Sequence, residues 1–345
     1  MDKLPLPRDR ETIWGVFHEE SPLIRLTFMY EEGLNLFNYS ATFSRFSDLP
    51  VPLIWMKSLE AITSPLYFIN SSVKTTFLSQ LAPVMYLQSD CNTSTDRDAY
   101  VQKLMQHISV DSYGACLRNK PLPLNGIYSN EGFYKYMQHL FGQELLRFMA
   151  RYKFMITIEN SVCNDYVTEK LWRAIEVGVV PIYYGSPLIR DWLPNNKSAI
   201  LLEDFPTPEL LSQHLHYLLN NDTAYEEYLE HKTLGTIANR RLIEEVAARP
   251  YQMDLQTARK EFECYVCERL YTRRRNEVHI VTKKHYDCPL PRSALTLSVN
   301  ESSSWLERIR KAKIKIEKLQ EEIRTANRTL RSSVTSFDFD GKSIE

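Results

Sequence analysis

The stretch FMITIENSVCNDYVTEKLWRAIEVGVVPIYYG, residues 154–185, decides how this chain folds. Its first five residues are apolar and predict a buried strand. A polar loop follows, Thr168 to Lys170 open an amphipathic helix, and a second apolar run ends at Gly185. Strand, helix and strand in this order predict a parallel crossover unit. Because ligands bind at the carboxyl ends of parallel strands, the polar residues that follow the first strand are candidates for a binding site.

The same alternation extends to both sides of this unit. Apolar runs predict strands at 83–87, 108–110 and 199–202, and helical periodicity predicts helices at 97–107 and 208–219. Repeated strand–helix alternation indicates an α/β fold with a mainly parallel, Rossmann-like sheet. The chain has no G-x-G-x-x-G motif, so a bound diphosphate has to be held by other groups.

Three motifs in the 154–185 stretch resemble a known family. They are I-E-N-S, D-Y-V-T-E-K and G-V-V-P-I-Y-Y-G, and their spacing is similar to that of the family 10 α-1,3-fucosyltransferases. The motifs F-H-E-E-S-P, T-F-S-R and D-C-P-L-P resemble the divergent α-1,3-fucosyltransferase 10/11 subgroup. The resemblance covers roughly residues 11–290. Ile158 stands where relatives often have an aromatic residue.

The resemblance implies a GT-B type fold, which is an α/β fold with two facing Rossmann-like domains. We expect residues 1–78 to be a partial N-terminal acceptor-side domain and 79–270 to be the GDP-fucose-binding domain. Residues 271–345 then form a tail. The family consists of Golgi type II membrane proteins, and this chain contains no apolar stretch long enough to be the membrane anchor. The sequence leaves open whether the chain is a fragment or a soluble form.

The resemblance also assigns donor-binding roles to residues at matching positions. Lys170, at a predicted helix start, adds its ammonium group to the free N–H groups there, and the planar guanidinium of Arg97 suits a phosphate. Each has a structural alternative as an exposed cation in a first helical turn. The remaining candidates are Glu169 for the ribose, Asn160 for the donor or a turn, Tyr113 for stacking on the base and Ser89 for the diphosphate.

An inverting displacement needs a base opposite the leaving group. Glu20 matches the N-terminal E-S-P carboxylate that serves as general base in the resembled family. An exposed loop glutamate is the alternative for this position, and Glu159 is a second candidate for the base, although we expect it to be structural.

The sequence also contains two D-x-D matches, which metal-dependent sugar transferases often carry. One lies at 96–98 and the other at 338–340. Acidic residues in a first helical turn also complement the helix dipole, and the resembled family works without a metal. We therefore expect no metal and no cofactor, with GDP-fucose as the donor substrate.

The composition indicates the cellular compartment of the chain and limits its binding partners. The 345 residues include 42 basic and 43 acidic side chains, and this balance argues against nucleic-acid binding. Seven N-x-S/T sequons indicate a secretory-pathway protein, in the Golgi or endoplasmic reticulum lumen by resemblance. The sequons taken as glycosylation candidates are Asn38, Asn70, Asn92, Asn196 and Asn221. An oxidising lumen favours disulfides among the six cysteines, with Cys264, Cys267, Cys91 and Cys288 as candidates and the connectivity open.

The tail has a heptad pattern. Apolar residues spaced four and three apart run from Trp305 to Leu330 and predict a helix over 303–331. Either this helix folds back onto its own chain, or it forms a homo-oligomer through a short coiled coil. The last ten residues are predicted to be disordered.

The sequence therefore predicts an inverting, metal-independent fucosyltransferase. The acceptor expected from the resemblance is GlcNAc of a glycoprotein or glycan, modified at the α-1,3 position. One alternative is a protein O-fucosyltransferase that acts on Ser or Thr of disulfide-rich domains. Another is an inactive chaperone that binds carbohydrate or protein.

Overall fold

The fold of this computed structural model contains two parallel sheets, and it is described for residues 6–8, 12–123, 142–272 and 278–337, with side chains through 329. A two-stranded sheet holds β1 (Gly15–His18) and β2 (Tyr39–Thr42). A five-stranded sheet holds β3 (Val84–Gln88), β4 (Val110–Gly114), β5 (Phe154–Ile158), β6 (Val180–Tyr184) and β7 (Ile200–Leu201). The predicted α/β class with parallel sheets is confirmed.

Helices surround both sheets. In chain order they are α1 (Glu31–Leu34), α2 (Leu59–Thr63), α3 (Ser71–Phe77), α4 (Arg97–Leu104), α5 (Gln143–Met149), α6 (Glu169–Val177), α7 (Pro208–Leu219), α8 (Asp222–Glu226), α9 (Glu230–Thr233), α10 (Arg240–Ala248), α11 (Leu255–Thr272) and α12 (Ser304–Phe337). The strands predicted at 154–158 and 83–87, and the helix predicted at 208–219, agree with the structure to within a residue.

The order of strands in the large sheet creates a crevice. The chain runs from β3 to β4 on one side, then returns to β5 on the other side, which gives the spatial order β4-β3-β5-β6-β7. The carboxyl ends of β3 and β5 therefore lie at a topological switch point, where open α/β sheets bind their ligands. All five residues of β5 are buried, because helices cover both faces of a parallel sheet.

Segments from the second half of the chain cover the small sheet. Phe262 of α11 lies 3.0 Å from the position that a Cβ on Gly15 would occupy, and it packs in one cluster with Tyr39 and Ala41. Residues 278–288 also return to this sheet, where Val281 donates its N–H to Phe37 O (2.9 Å). Helix α11, nearly all of which lies inside the segment predicted to bind the donor, thus contacts the N-terminal sheet.

The heptad helix folds back onto its own chain. In α12 the residues Leu306, Ile309, Ala312, Ile316 and Leu319 are buried, and Tyr30 donates to Ile309 O (3.0 Å). The first half of the seam is thus covered by the N-terminal segment, which leaves it unavailable for the coiled coil considered above. Of the tail predicted to be disordered, Ser336 and Phe337 are the last residues of α12, which corrects the prediction there, and 338–345 lie outside the described residues.

Two disulfides form, and they differ in part from the candidates. Cys91 bonds to Cys116 and Cys163 bonds to Cys288. The Cys264 and Cys267 thiols are free and exposed on α11, so the expectation that they form disulfides is wrong in this structure. Cys163–Cys288 ties the loop after β5 to the returning segment.

One glycosylation candidate is also corrected. Asn38 is buried, and its side chain donates to His279 O (2.9 Å) and accepts from Trp14 N–H (3.1 Å). A glycan on this amide is incompatible with the folded chain. By contrast, Asn70, Asn92 and Asn196 are exposed, and Asn221 is half-buried as the N-cap of α8. Among the described helices, none has the length and hydropathy that crossing a bilayer requires.

Candidate functional site

Polar side chains close the crevice at the switch point between β3 and β5. Arg97, the first residue of α4, donates to Ile158 O at the end of β5 (3.2 Å) and to Asp90 O just after β3 (2.5 Å). In the same loop, Ser94 donates to Asn160 O and Thr95 to Glu159 O, both at 2.8 Å. Helix α4 and the loop before it thereby fix the backbone that follows β5.

Arg97 is 1% exposed, so the alternative of an exposed cation in a first helical turn is wrong for this residue. Its Nε is buried, and none of the described residues accepts a hydrogen bond from it. The two carbonyl oxygens that accept from the Arg97 guanidinium carry no net charge, so these hydrogen bonds do not neutralise it. It therefore contributes a positive potential beneath the crevice.

The start of α6 holds a compact ion cluster. Thr168 is the N-cap of the helix. The buried Glu159 carboxylate accepts from Thr168 N (2.8 Å) and Thr168 Oγ1 (2.7 Å). Lys170 Nζ lies 3.3 Å from both Glu159 Oε2 and Glu169 Oε1, and it donates to Thr168 Oγ1 (2.9 Å). Glu159 thus ties the end of β5 to the helix start, which agrees with the structural role expected for it.

Burial and the attraction between opposite charges shift the pKa values of this cluster in opposite directions. Burial raises the pKa of Glu159 more than Lys170 and Thr168 lower it. Burial also disfavours ionised Glu169, but Lys170 and Arg173 outweigh it and lower the pKa of Glu169 to about 2. The pKa of Lys170 is raised, because the two carboxylates outweigh its burial. Lys170 and Glu169 are therefore both charged at neutral pH.

Glu20 comes from the other sheet and meets the loop after β5. It follows β1 closely, and its Oε2 accepts from Tyr166 Oη (2.6 Å) and lies 3.4 Å from Asn160 Nδ2. Burial, followed by the charge of Glu20, raises the pKa of Tyr166 well above its usual value, so its hydroxyl stays protonated as a donor. The exposed-loop alternative for Glu20 is wrong, because its carboxylate is half-buried and hydrogen-bonded across the crevice.

A second group of contacts holds the backbone of Glu20. The buried Tyr286 hydroxyl donates to Glu20 O. His18 Nδ1 lies 2.8 Å from the same carbonyl oxygen and 2.6 Å from Tyr286 Oη. Burial lowers the pKa of His18, so its imidazole is neutral. Because a carbonyl oxygen can only accept, the single ring proton lies on Nδ1 and is donated to Glu20 O. Glu20 is thus fixed by its backbone on one side and by its carboxylate on the other.

One donor-binding candidate, Tyr113, lies away from the place predicted for it, whereas Ser89 and Asn160 lie where they were expected. Tyr113 is 2% exposed, packs edge-on against Phe148, and shares a 2.6 Å hydrogen bond with Tyr152. Its ring therefore cannot stack on a base in this structure, and that expectation is corrected. Ser89 is exposed directly after β3, at the switch point where it was expected. Asn160 also lies there, and its buried Oδ1 has no partner among the described residues.

The acidic pair at 96–98 is occupied by protein donors. Asp98 accepts from Tyr86 Oη (2.5 Å) and Asn92 N (3.2 Å), and Asp96 accepts from Asn300 Nδ2 (3.2 Å). These hydrogen bonds give both carboxylates structural roles. The second D-x-D match lies outside the described residues.

Tyr166, Tyr286 and His18 are the site residues that sequence reasoning missed. Tyr166 lies inside the D-Y-V-T-E-K motif, which also contains Lys170, and His18 lies inside F-H-E-E-S-P, which also contains Glu20. The motif that pointed to the predicted residue therefore also contains the missed one. Tyr286 lies immediately before the D-C-P-L-P motif, 266 positions from its partner. No local pattern predicts a contact over that separation.

The arrangement combines the groups that a group transfer needs. A half-buried carboxylate, from the end of β1, stands across a crevice from the start of α6. On the far side, Lys170, the helix N-terminus and Arg97 supply positive charge, which stabilises an anionic leaving group. Asn160 lies between the two sides and contacts the carboxylate.

Comparisons with known proteins show which sequences and structures this chain resembles. The model of glycosyltransferase family 10 (fucosyltransferase), C-terminal part, matches residues 78–285, more than half of the chain. GDP-fucose protein O-fucosyltransferase 3 of Gallus gallus is 41% identical over 321 residues, which are 89% of this chain and 65% of that protein. The Homo sapiens protein of the same name is 42% identical and covers 84% of this chain and 61% of its own length.

Another relative carries a different name. Alpha-(1,3)-fucosyltransferase B of Drosophila melanogaster is 42% identical, over 83% of this chain and 64% of its own length. The chain thus spans somewhat under two thirds of these relatives. Among solved structures, an α1,3-fucosyltransferase with GDP aligns with a TM-score of 0.47 and 18% identity, over 70% of this chain and 72% of that one. An α1,3-fucosyltransferase with GDP-fucose aligns with a TM-score of 0.47 and 17% identity, over 79% and 78%.

Proposed function

This chain belongs to glycosyltransferase family 10, the fucosyltransferases, and from that premise we propose that it transfers L-fucose from GDP-fucose to an acceptor hydroxyl. The transfer inverts the configuration at the sugar carbon. The N-terminal segment supplies the base, and the 79–270 segment supplies most of the donor site.

The proposed step assigns one task to each side of the crevice. The acceptor oxygen forms a bond to C1 of fucose while the bond from C1 to the β-phosphate oxygen breaks. The acceptor proton passes to the Glu20 carboxylate, and GDP leaves with the electron pair of the broken bond. Lys170, Arg97 and the N–H groups at the start of α6 stabilise the negative charge that develops on GDP.

One observation carries this assignment. Glu20, from the end of β1, is hydrogen-bonded to Tyr166 and Asn160, which follow β5. Residues 140 and 146 positions apart therefore form a single site across the two sheets. An inverting enzyme needs this opposition, because its base approaches from the face that the leaving group does not occupy.

For the acceptor we propose Ser or Thr of a folded, disulfide-rich protein domain. The names of the vertebrate relatives support a protein acceptor. The name of the Drosophila relative supports the other candidate, an α-1,3 linkage to GlcNAc of a glycan. The relatives extend beyond the length matched here, so both acceptors belong in the test.

We also propose that transfer needs no metal ion at the diphosphate and takes place in the lumen of the secretory pathway. The hydrogen-bonded state of Asp96 and Asp98 supports the first point. The two disulfides and the exposed sequons support the second.

The test is product mass spectrometry with GDP-fucose and two acceptor pools, free N-glycans and folded cysteine-rich domains. Wild type is expected to add one fucose mass to Ser or Thr, with or without EDTA. Glu20→Gln is expected to lower kcat at least 100-fold, since general base catalysis contributes about 10²–10⁴-fold. The matched control is Glu19→Gln, which changes the neighbouring carboxylate and should keep most of the activity.

The outcomes separate the alternatives. Fucose on glycans alone would replace the proposed acceptor with GlcNAc. Equal losses in the two glutamate variants would remove Glu20 from its role as the base. GDP binding without transfer to either pool would support a binding protein instead of an enzyme.

A further inference from the structure

A second cluster of chemically capable side chains lies on the N-terminal sheet, away from the ion cluster at α6. Asp48 follows β2, and the segment that returns to this sheet carries His279 and His285. One nitrogen of each ring faces the same carboxylate oxygen: His279 Nε2 is 2.7 Å and His285 Nε2 is 4.0 Å from Asp48 Oδ1. The three ligand atoms all lie within 4.8 Å of one another.

From this cluster we propose that Asp48, His279 and His285 bind a Zn²⁺ ion that clips the returning segment onto the N-terminal sheet. Two imidazoles and one carboxylate form a ligand set that suits Zn²⁺, whereas Ca²⁺ and Mg²⁺ prefer oxygen ligands alone. Three protein ligands leave one tetrahedral position for water. The proposal concerns binding of the ion and does not depend on the proposed transfer reaction.

Two of the three distances between ligand atoms fit a tetrahedral ion after a small adjustment. With Zn–N and Zn–O bonds of about 2.0–2.1 Å, ligand atoms of a tetrahedral site lie roughly 3.3–3.4 Å apart. The two observed distances, 2.7 and 4.0 Å, lie on either side of that value. Moving each ring by well under 1 Å brings both distances to that value. Rotation of the histidine side chains supplies this movement.

Neighbouring groups already orient the three ligands. The other oxygen of Asp48, Oδ2, accepts from Ser40 N (2.8 Å) and Ser40 Oγ (2.9 Å), which leaves Oδ1 directed at the histidines. The His279 ring stacks on Tyr39 with centroids 4.9 Å apart. Such supporting hydrogen bonds and packing are typical of metal ligands, because they fix the orientation of the ligand.

His279 Nε2 lies 2.7 Å from Asp48 Oδ1, a carboxylate oxygen that only accepts, so its proton lies on Nε2 and moves to Nδ1 when the ion binds. His285 needs the same change of tautomer. Its Nδ1 accepts from Thr282 N–H (3.0 Å), which places its proton on Nε2, and Thr282 Oγ1 lies 3.1 Å from the same Nδ1. In the loaded site the proton sits on Nδ1 and is donated to Thr282 Oγ1, so Nε2 becomes free to bind Zn²⁺. The ring stays neutral, the Thr282 hydroxyl becomes the acceptor for Nδ1–H, and Thr282 N–H loses its hydrogen bond to the ring.

The site is accessible to an ion from solution. The His279 side chain is 38% exposed, whereas those of His285 and Asp48 are 16% and 8% exposed. The ion would therefore enter past His279 and keep a water ligand on that side.

The clip would act next to the proposed base. Tyr286 follows His285 directly and donates its hydroxyl to the backbone of Glu20, and Thr42 Oγ1 donates to His285 O (3.0 Å). An ion bound between β2 and this segment would therefore restrict the position of Tyr286. It would touch neither donor nor acceptor, so its role is structural.

The test measures metal uptake without any donor present. Cys264→Ser/Cys267→Ser serves as the parent, because exposed thiols also bind Zn²⁺. The protein is stripped with a chelator, and Zn²⁺ binding is measured by calorimetry and by thermal unfolding. We expect one equivalent of Zn²⁺, a higher Tm when it is bound, and a Kd at least tenfold higher in both His279→Gln and His285→Gln.

A matched control and a variant-free measurement complete the design. His216→Gln replaces an exposed histidine on α7 and should bind Zn²⁺ as the parent does. Co²⁺ bound to the parent should give the visible absorption of a tetrahedral N/O site, which requires no variant to fold. No stoichiometric uptake by the parent, or equal affinity in all three histidine variants, would overturn the proposal while leaving fucosyl transfer to be judged by its own assay.

Discussion

Replacing Arg45 by Met is expected to destabilise the chain strongly, because this arginine neutralises a buried carboxylate. Arg45 Nε lies 2.9 Å from both oxygens of Asp165, and its Nη2 lies 2.5 Å from Asp165 Oδ1 and 2.8 Å from Asp191 Oδ2. The Asp165 side chain is 0% exposed. The pair joins the T-F-S-R motif to the D-Y-V-T-E-K motif, so it also holds the loop that carries Tyr166.

The magnitude follows from what remains after the substitution. Removing one partner of a buried ion pair costs about 3–5 kcal/mol. Asp165 would keep two donors, Arg45 N at 3.1 Å and Trp192 Nε1 at 3.1 Å, so we expect the lower end, about 3 kcal/mol. Adding Asp165→Asn removes the stranded charge, and the double variant should regain about 2 kcal/mol of that loss.

The assay is equilibrium unfolding in guanidinium chloride under non-oxidising, non-reducing conditions, followed by tryptophan fluorescence. Arg45→Met, Asp165→Asn and the double variant complete a double-mutant cycle, in which contacting residues typically show coupling of about 0.5–3 kcal/mol. Arg45→Lys is the matched control, because it keeps the charge and loses the bidentate geometry. A loss below 1 kcal/mol in Arg45→Met, the value typical of exposed pairs, would refute the reasoning.

Three further predictions concern the ion cluster and the free thiols. Lys170→Met should weaken GDP binding at least tenfold in calorimetry, because a charge-assisted hydrogen bond contributes about 1.5–3 kcal/mol; unchanged affinity would remove Lys170 from the donor site. Glu169 has its pKa lowered to about 2, so its ionised form stabilises the fold above about pH 4.5 and this contribution is lost as the pH falls toward 2. Glu169→Gln should thus be less stable than wild type at pH 7, with a gap that narrows below pH 4.5 in denaturant titrations. Cys264 and Cys267 should both react with a maleimide in the native protein, and mass spectrometry showing neither labelled would indicate a disulfide between them.

The sequence predicted the parts of the fold that depend on local patterns. β5 is five consecutive buried residues, and such a run bounded by polar residues predicts a strand regardless of its neighbours. Thr168 precedes an amphipathic segment and caps α6 as its type favours. The motifs around Glu20 and Lys170 also identified the two sides of the crevice.

The remaining features depend on tertiary contacts that no local pattern contains. An arginine in a first helical turn is usually exposed, yet Arg97 is buried because two strand ends present carbonyl oxygens to it. Tyr113 is buried because Tyr152 offers its hydroxyl a partner. The heptad seam of α12 has the same spacing whether it packs on a second helix or on its own chain, so the periodicity alone could not decide between them.

The contact between Tyr286 and Glu20 has a consequence for biosynthesis. A chain made from its N-terminus exposes Glu20 early, but the partners that fix it arrive with residue 166 and then with residue 286. The Cys163–Cys288 bond has to wait for the same late segment. A nascent chain shorter than this contains the Glu20 carboxylate but lacks the contact from Tyr286 and the Cys163–Cys288 bond. Chains that end before residue 286 are therefore expected to lack both the disulfide and the contact that fixes the backbone of Glu20.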